Sequence, residues 1–124
     1  MMKLDPEAIR EINEYAAGYD PDIFNEIMVE YISNSASLVG QLDDAFQQQN
    51  SVLLERTAHT LKGQGGAVGA LAFSVLCGEL ELMAKSGNLT AVLELINKVK
   101  REYSEVKAAL RFEIEQNYNI HGSK

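Results

Sequence analysis

Between Val92 and Leu110 the apolar positions Val92, Ile96, Val99, Tyr103, Val106 and Leu110 alternate spacings of four and three residues. Only an α-helix gathers such positions onto one stripe, and a stripe that long needs other helices to cover it. This seam commits the chain to side-by-side helix packing.

The remaining sequence supplies the partners. Asp5-Pro6-Glu7 joins a capping carboxylate, a proline suited to the first helical position and an acid at the positive end of the helix dipole. A short helix is expected from there to about Ala17, with Gly18 as its C-terminal cap. Asp20-Pro21-Asp22 repeats the start signal, and Phe24, Ile27, Tyr31, Leu38, Leu42 and Ala45 carry a second helix past Gly40 to about Gln48. Asn50 and Ser51 open a third, with Leu54, Ala58, Leu61 and Gly65 down one face, weakening towards Val68. A fourth is expected from Leu71 to about Lys85, with Val75, Leu76, Leu80 and Met83 as its apolar stripe, stopped by Ser86-Gly87-Asn88. Residues 119–124 show no periodicity and read as a frayed tail beyond a single domain of residues 1–118.

Short connections make successive helices antiparallel. The expected fold is therefore all-α, an up-down antiparallel four-helix bundle with a short additional N-terminal helix. The seam of the last helix also suits a homodimeric coiled coil, but the same residues are needed to close the bundle.

A formal net charge of −7, from 18 acidic and 11 basic residues, argues against a nucleic-acid binder and against docking on an anionic membrane. The N-terminal MMKLDPEAIREINE has no apolar signal core, and no stretch approaches the ~18 uncharged apolar residues of a membrane span. These features lead us to expect a cytoplasmic protein. The lone cysteine, Cys77, has no internal disulfide partner and is expected to pack as a small apolar group.

The unusual stretch is Ala58-His59-Thr60-Leu61-Lys62-Gly63-Gln64-Gly65-Gly66-Ala67-Val68-Gly69-Ala70. Each helical glycine costs up to about 1 kcal/mol relative to alanine, so four of them beside one of two histidines suggest a use. A phosphate-binding P-loop is excluded because no Gly-Lys-Ser/Thr closes the run. A dinucleotide fingerprint fails because its third glycine would fall at Val68 and no strand precedes it. A steric use remains. On a helix Gly63 lies one turn beyond His59 and leaves bare backbone beside the imidazole, while Lys62 flanks the ring with an ammonium and Arg56 extends the basic strip. Histidine is substantially neutral near cytoplasmic pH, so one ring nitrogen keeps a lone pair.

Ala58-His59-Thr60-Leu61-Lys62-Gly63 followed by Gly69-Ala70 resembles the signature of histidine-containing phosphotransfer (HPt) domains. Leu76-Cys77, Leu80-Glu81, Ala84-Lys85 and Gly87 are similar to the family's pattern on the next helix, and the resemblance runs from about Leu4 to Tyr118. It implies a phosphorelay intermediate that exchanges a phosphoryl group with aspartates of receiver domains. By position, the resemblance makes His59 the phosphoryl acceptor and donor, Lys62 the charge that meets phosphoryl oxygens, and Gly63 the clearance for the partner. It makes Lys85 a second cation, and puts Glu81 where some members carry a glutamine hydrogen-bonded to the imidazole. The implied partners are response-regulator receiver domains or a hybrid histidine kinase, acting on a monomer. No metal ligands or cofactor are expected on this chain, with Mg²⁺ expected in the receiver, and no autonomous kinase activity is expected.

Two other readings start from the same residues. A carboxylate di-iron bundle needs paired Glu-x-x-His motifs, whereas here Glu55 precedes His59 by four and His121 lies near the end. An interaction module that docks on a receiver or partner helix without phosphorylation needs neither His59 nor Lys62, and both are present.

Overall fold

Residues 3–121 are described by a computed structural model, and they form five helices: α1 (Pro6–Ala17), α2 (Asp22–Gln47), α3 (Ser51–Ala67), α4 (Leu71–Lys85) and α5 (Val92–His121). The start signals act as their chemistry requires. The Asp5 side chain accepts from the Glu7 N–H, the Asp20 carboxylate accepts from the Asp22 N–H at 3.0 Å, and Asn50 accepts from the Leu53 N–H at 3.0 Å. Each satisfies a backbone donor that a helix leaves without an internal partner.

Helices α2 to α5 pack in a closed ring, each against its sequence neighbour and α5 back against α2, while α1 lies on α2. This is the up-down bundle with an added N-terminal helix. All six seam positions of α5 are buried, five of them completely, so the bundle itself consumes the stripe that would otherwise suit a coiled-coil dimer. They meet Phe24, Met28 and Leu42 of α2, Leu54 and Leu61 of α3, and Phe73 and Leu80 of α4 in one core cluster. Cys77 is buried among them, and burial pushes its thiol pKa up to about 12, which keeps it protonated and inert.

Three expectations need correction. The buried face of α4 is Phe73, Cys77, Leu80 and Ala84, and Val75 points to solvent. Helix α4 is apolar on nearly every side, so periodicity does not single out a face, and the large Phe73 ring takes the core. In α2, Met28 occupies the core and Ile27 is half-buried. Ser35 is also buried there, its hydroxyl bonded to the Tyr31 carbonyl and the Tyr103 hydroxyl. Helix α5 continues through Asn119, Ile120 and His121, so these residues are not a frayed tail. Asn117 explains the extension: its buried amide donates to the Pro21 carbonyl and to Asn25 Oδ1, both at 3.2 Å, pinning the last turns to the start of α2. The rest of the expected tail, residues 122–124, lies outside the described residues.

The α3–α4 connection positions the site. Helix α3 ends in a Schellman turn, with the Ala70 N–H on the Gly65 carbonyl at 2.8 Å and the Gly69 N–H on the Gly66 carbonyl at 3.1 Å. Gly69 adopts φ +80°, and a Cβ there would stand 2.9 Å from Cβ of Ala8. Its carbonyl accepts from the Asp5 N–H at 2.8 Å, which ties the start of α1 to the hairpin. Lys3 continues the tie to α5 by pairing with Glu102 at 3.0 Å and Glu105 at 3.2 Å.

Candidate functional site

Helices α3 and α4 run antiparallel and very close. The Gly65 backbone meets the Phe73 ring so tightly that a Cβ would lie 3.0 Å from Cδ2. Gly66 faces Ser74, Lys62 faces Gly78 and His59 faces Glu81, so the two helices stay in register along their length. Small residues near the turn let the backbones approach, and that closeness brings α4 side chains within hydrogen-bonding reach of α3.

The centre of the site is His59, with its side chain 66% exposed. Its Nδ1 lies 2.8 Å from Oε2 of Glu81, and the other Glu81 oxygen accepts from Lys62 Nζ, also at 2.8 Å. The Glu81 carboxyl is held below the usual carboxylate range, first by the Lys62 hydrogen bond and then by His59, against burial that pulls the other way. The group facing His59 is therefore an anion at neutral pH, an acceptor only. In the neutral ring it selects the tautomer with the proton on Nδ1 and the lone pair on Nε2. An unprotonated Nε2 on an exposed ring is a nucleophile.

Gly63 has nothing within 4 Å of where its Cβ would be, so the expected bare surface one turn from His59 is present. Arg56 and Lys85 are both exposed, and neither side chain makes a hydrogen bond or ion pair among the described residues. Arg56 stands one turn before His59 on α3, and Lys85 one turn beyond Glu81 on α4. The structure thus joins His59, Lys62 and Glu81 by direct bonds and leaves Arg56 and Lys85 as unengaged cations flanking them. Lys62 differs from the expectation in one respect: its ammonium is already bound to Glu81.

Two residues escaped the sequence reading. Ser74 Oγ donates to the Lys62 carbonyl at 2.8 Å, and a Cβ at Gly78 would stand 3.2 Å from Lys62 Cδ. Their signal was available in the spacing Ser74, Gly78, Glu81, which defines one face of α4. Among the described residues no cluster of three or more histidine, cysteine or acidic side chains is arranged to hold a metal ion, and no helix is long and apolar enough to cross a membrane.

The sequence profile of the Hpt domain matches residues 26–109, a span that contains every residue of this site. The chain belongs to the Hpt domain family. It is similar to histidine-containing phosphotransfer protein 4 of Arabidopsis thaliana, with 24% identity over 106 residues covering 84% of each chain. It is also similar to the crystal structure of histidine-containing phosphotransfer protein B from Pseudomonas aeruginosa, with a TM-score of 0.86 and 25% identity over 92% of this chain and 96% of that one. As an Hpt domain, the chain works by histidine phosphotransfer in phosphorelay signalling.

Proposed function

We propose that His59 is the residue that carries the phosphoryl group, receiving it from an aspartyl phosphate of a receiver domain and passing it to the aspartate of another. The single observation that carries this reading is the bond between Nδ1 of the exposed His59 ring and Glu81, which in the neutral ring places the proton on Nδ1 and the lone pair on Nε2.

The step balances on these atoms. Nε2 attacks phosphorus, the P–N bond forms, the acyl P–O bond breaks and the receiver aspartate leaves as carboxylate. The ring keeps its Nδ1 proton and becomes cationic, and Glu81 compensates that charge from the side away from phosphorus. Reversal returns the group to a receiver. Phosphoryl transfer asks mainly for positioning and charge stabilisation. Lys62 is near enough to exchange Glu81 for phosphoryl oxygens, Arg56 and Lys85 flank the approach, and Gly63 leaves room for the partner surface.

In this reading the chain is a phosphorelay intermediate with no kinase activity of its own, acting as a cytoplasmic monomer. Its partners are receiver domains of response regulators or of a hybrid histidine kinase, and the receiver supplies Mg²⁺ and its acidic pocket. Burial of the α5 seam inside the bundle supports the monomer.

The test is transfer from a phosphorylated receiver domain to wild type and to His59→Gln. Wild type should acquire an acid-labile, base-stable phosphoryl group. His59→Gln should acquire none while keeping its helical circular dichroism. Labelling of the variant at the wild-type level overturns the assignment.

A further inference from the structure

Three residues of α4 follow Lys62 from its backbone to its tip. Ser74 Oγ holds the Lys62 carbonyl at 2.8 Å, the Gly78 backbone lies under the stem at Cδ, and Glu81 takes the ammonium at 2.8 Å. Positions 74, 78 and 81 are spaced by four and three and so share one helix face. Glycine inside a helix is destabilising relative to alanine, so Gly78 calls for a reason. Its backbone does not supply one, since the positive-φ glycines among the described residues are Gly69 and Gly87. The reason is steric: a Cβ would come within 3.2 Å of Lys62 Cδ, tighter than ordinary contact.

We propose that Gly78 is a positioning residue for phosphoryl transfer, its missing side chain forming the seat in which the Lys62 stem lies so that the ammonium reaches Glu81 beside His59. The proposal rests on the reading of His59 and Lys62 given above. A side chain at position 78 lifts the stem from α4 and draws Nζ off the carboxylate. Glu81 then serves His59 alone, and the cation no longer waits beside the ring.

The test compares wild type, Gly78→Ala, Gly78→Val, Lys62→Ala and the double variant Gly78→Val/Lys62→Ala. The readouts are the Glu81 carboxyl titration by carbon NMR, single-turnover transfer from a phosphorylated receiver domain, and thermal melting. Lys62 is the foremost group depressing the Glu81 carboxyl, so its displacement in Gly78→Val should move that titration to higher pH, as in Lys62→Ala. Transfer should slow about threefold in Gly78→Ala and about tenfold in Gly78→Val, since small misplacements of a positioned group are costly. Adding Gly78→Val to Lys62→Ala should change neither quantity further. Gly78→Ala should melt no lower than wild type, which separates slowed transfer from loss of fold.

An unmoved Glu81 titration in Gly78→Val overturns the proposal, as does an equal fall in transfer whether or not Lys62 is present. Lys62→Ala transfer at the wild-type rate also overturns it, since Gly78 would then have no cation to position for transfer, while the His59→Gln comparison separately decides the phosphoryl site.

Discussion

His59 Nδ1 and Glu81 Oε2 stand 2.8 Å apart across the α3–α4 hairpin, and the second oxygen of the same carboxylate holds Lys62. One buried-side anion thus orients the nucleophile and stores the cation. A carboxylate close to an incoming phosphoryl group would ordinarily repel it. Here its charge is opposed by Lys62 and lies on the Nδ1 side of the ring, away from the attacking nitrogen.

Replacing that anion by a neutral isostere separates its charge from its shape. Glu81→Gln should fold and can still accept from Nδ1–H, but it loses the compensation of the cationic ring and the charged bond to Lys62. A hydrogen bond to a charged group is worth roughly 1 kcal/mol more than a neutral one, so transfer should slow about fivefold. Rapid-quench kinetics with a phosphorylated receiver measures this directly.

The same carboxyl makes a pH prediction. Its folded-state pKa is depressed below the ordinary value of 4.5, so its contribution to stability is present above that value and is lost as pH falls through the lower, folded one. Wild type should therefore be more stable than Glu81→Gln at pH 7, and the difference should fade as pH falls below the ordinary value of 4.5 and through the lower, folded one. Solvent screening limits the neutral-pH difference to about 1 kcal/mol or less. Urea denaturation of both proteins across this pH range is the check.

Gly65 and Gly66 are adjacent in sequence and should respond oppositely to alanine. A Cβ at Gly65 meets the fully buried Phe73 ring at 3.0 Å, and that ring is backed by Tyr103 with centroids 5.7 Å apart. Overpacking of about 1–3 kcal/mol outweighs a helix-propensity gain of up to about 1 kcal/mol, so Gly65→Ala should destabilise. A Cβ at Gly66 meets Ser74 Oγ at an ordinary 3.7 Å, so Gly66→Ala should be neutral or stabilising by up to about 1 kcal/mol. Thermal melts of the two variants decide it.

Gly63 should show stability and activity moving apart. With nothing within 4 Å, Gly63→Gln should leave the bundle at least as stable as wild type. The added side chain stands one turn from His59 and obstructs the partner. An obstruction worth about 1.4 kcal/mol slows transfer about tenfold at limiting receiver concentration. Loss of stability without loss of transfer would contradict the clearance role.

At Gly69 the backbone and the packing both forbid a side chain. Gly69→Ala forces a residue into φ +80° and drives its Cβ against Ala8 and the Asp5 backbone. A loss of more than about 1 kcal/mol is expected, concentrated where α1 is tied to the hairpin. Hydrogen exchange should show α1 opening ahead of α4, and uniform protection across the chain would count against this.

The fold was legible because its signals were redundant. The α5 seam, the capping residues Asp5, Asp20 and Asn50, and the stop at Gly87 each act locally, and periodicity reports them directly. Helix α4 was not legible in the same way: with Val75, Leu76, Leu80 and Leu82 around its circumference, the choice of buried face depends on which neighbours meet Phe73. At the site, His59, Lys62 and Gly63 are contiguous enough to be read as one pattern. The bonds through Glu81 and the contacts of Ser74 and Gly78 are not, because they depend on how close two backbones come. That distance is set by Gly65 against Phe73, a packing quantity that no single helix encodes.

From Arg56 to Lys85, every group placed on the reactive face belongs to two consecutive helices joined by Val68, Gly69 and Ala70. Chain closure over so short a separation costs little entropy, and local pairings of this kind tend to form early. The reactive geometry is thus the most portable part of the molecule. Helices α1, α2 and α5 can diverge in surface charge and partner preference, as the uniformly acidic charges of α2 already illustrate, without the phosphoryl chemistry having to be rebuilt.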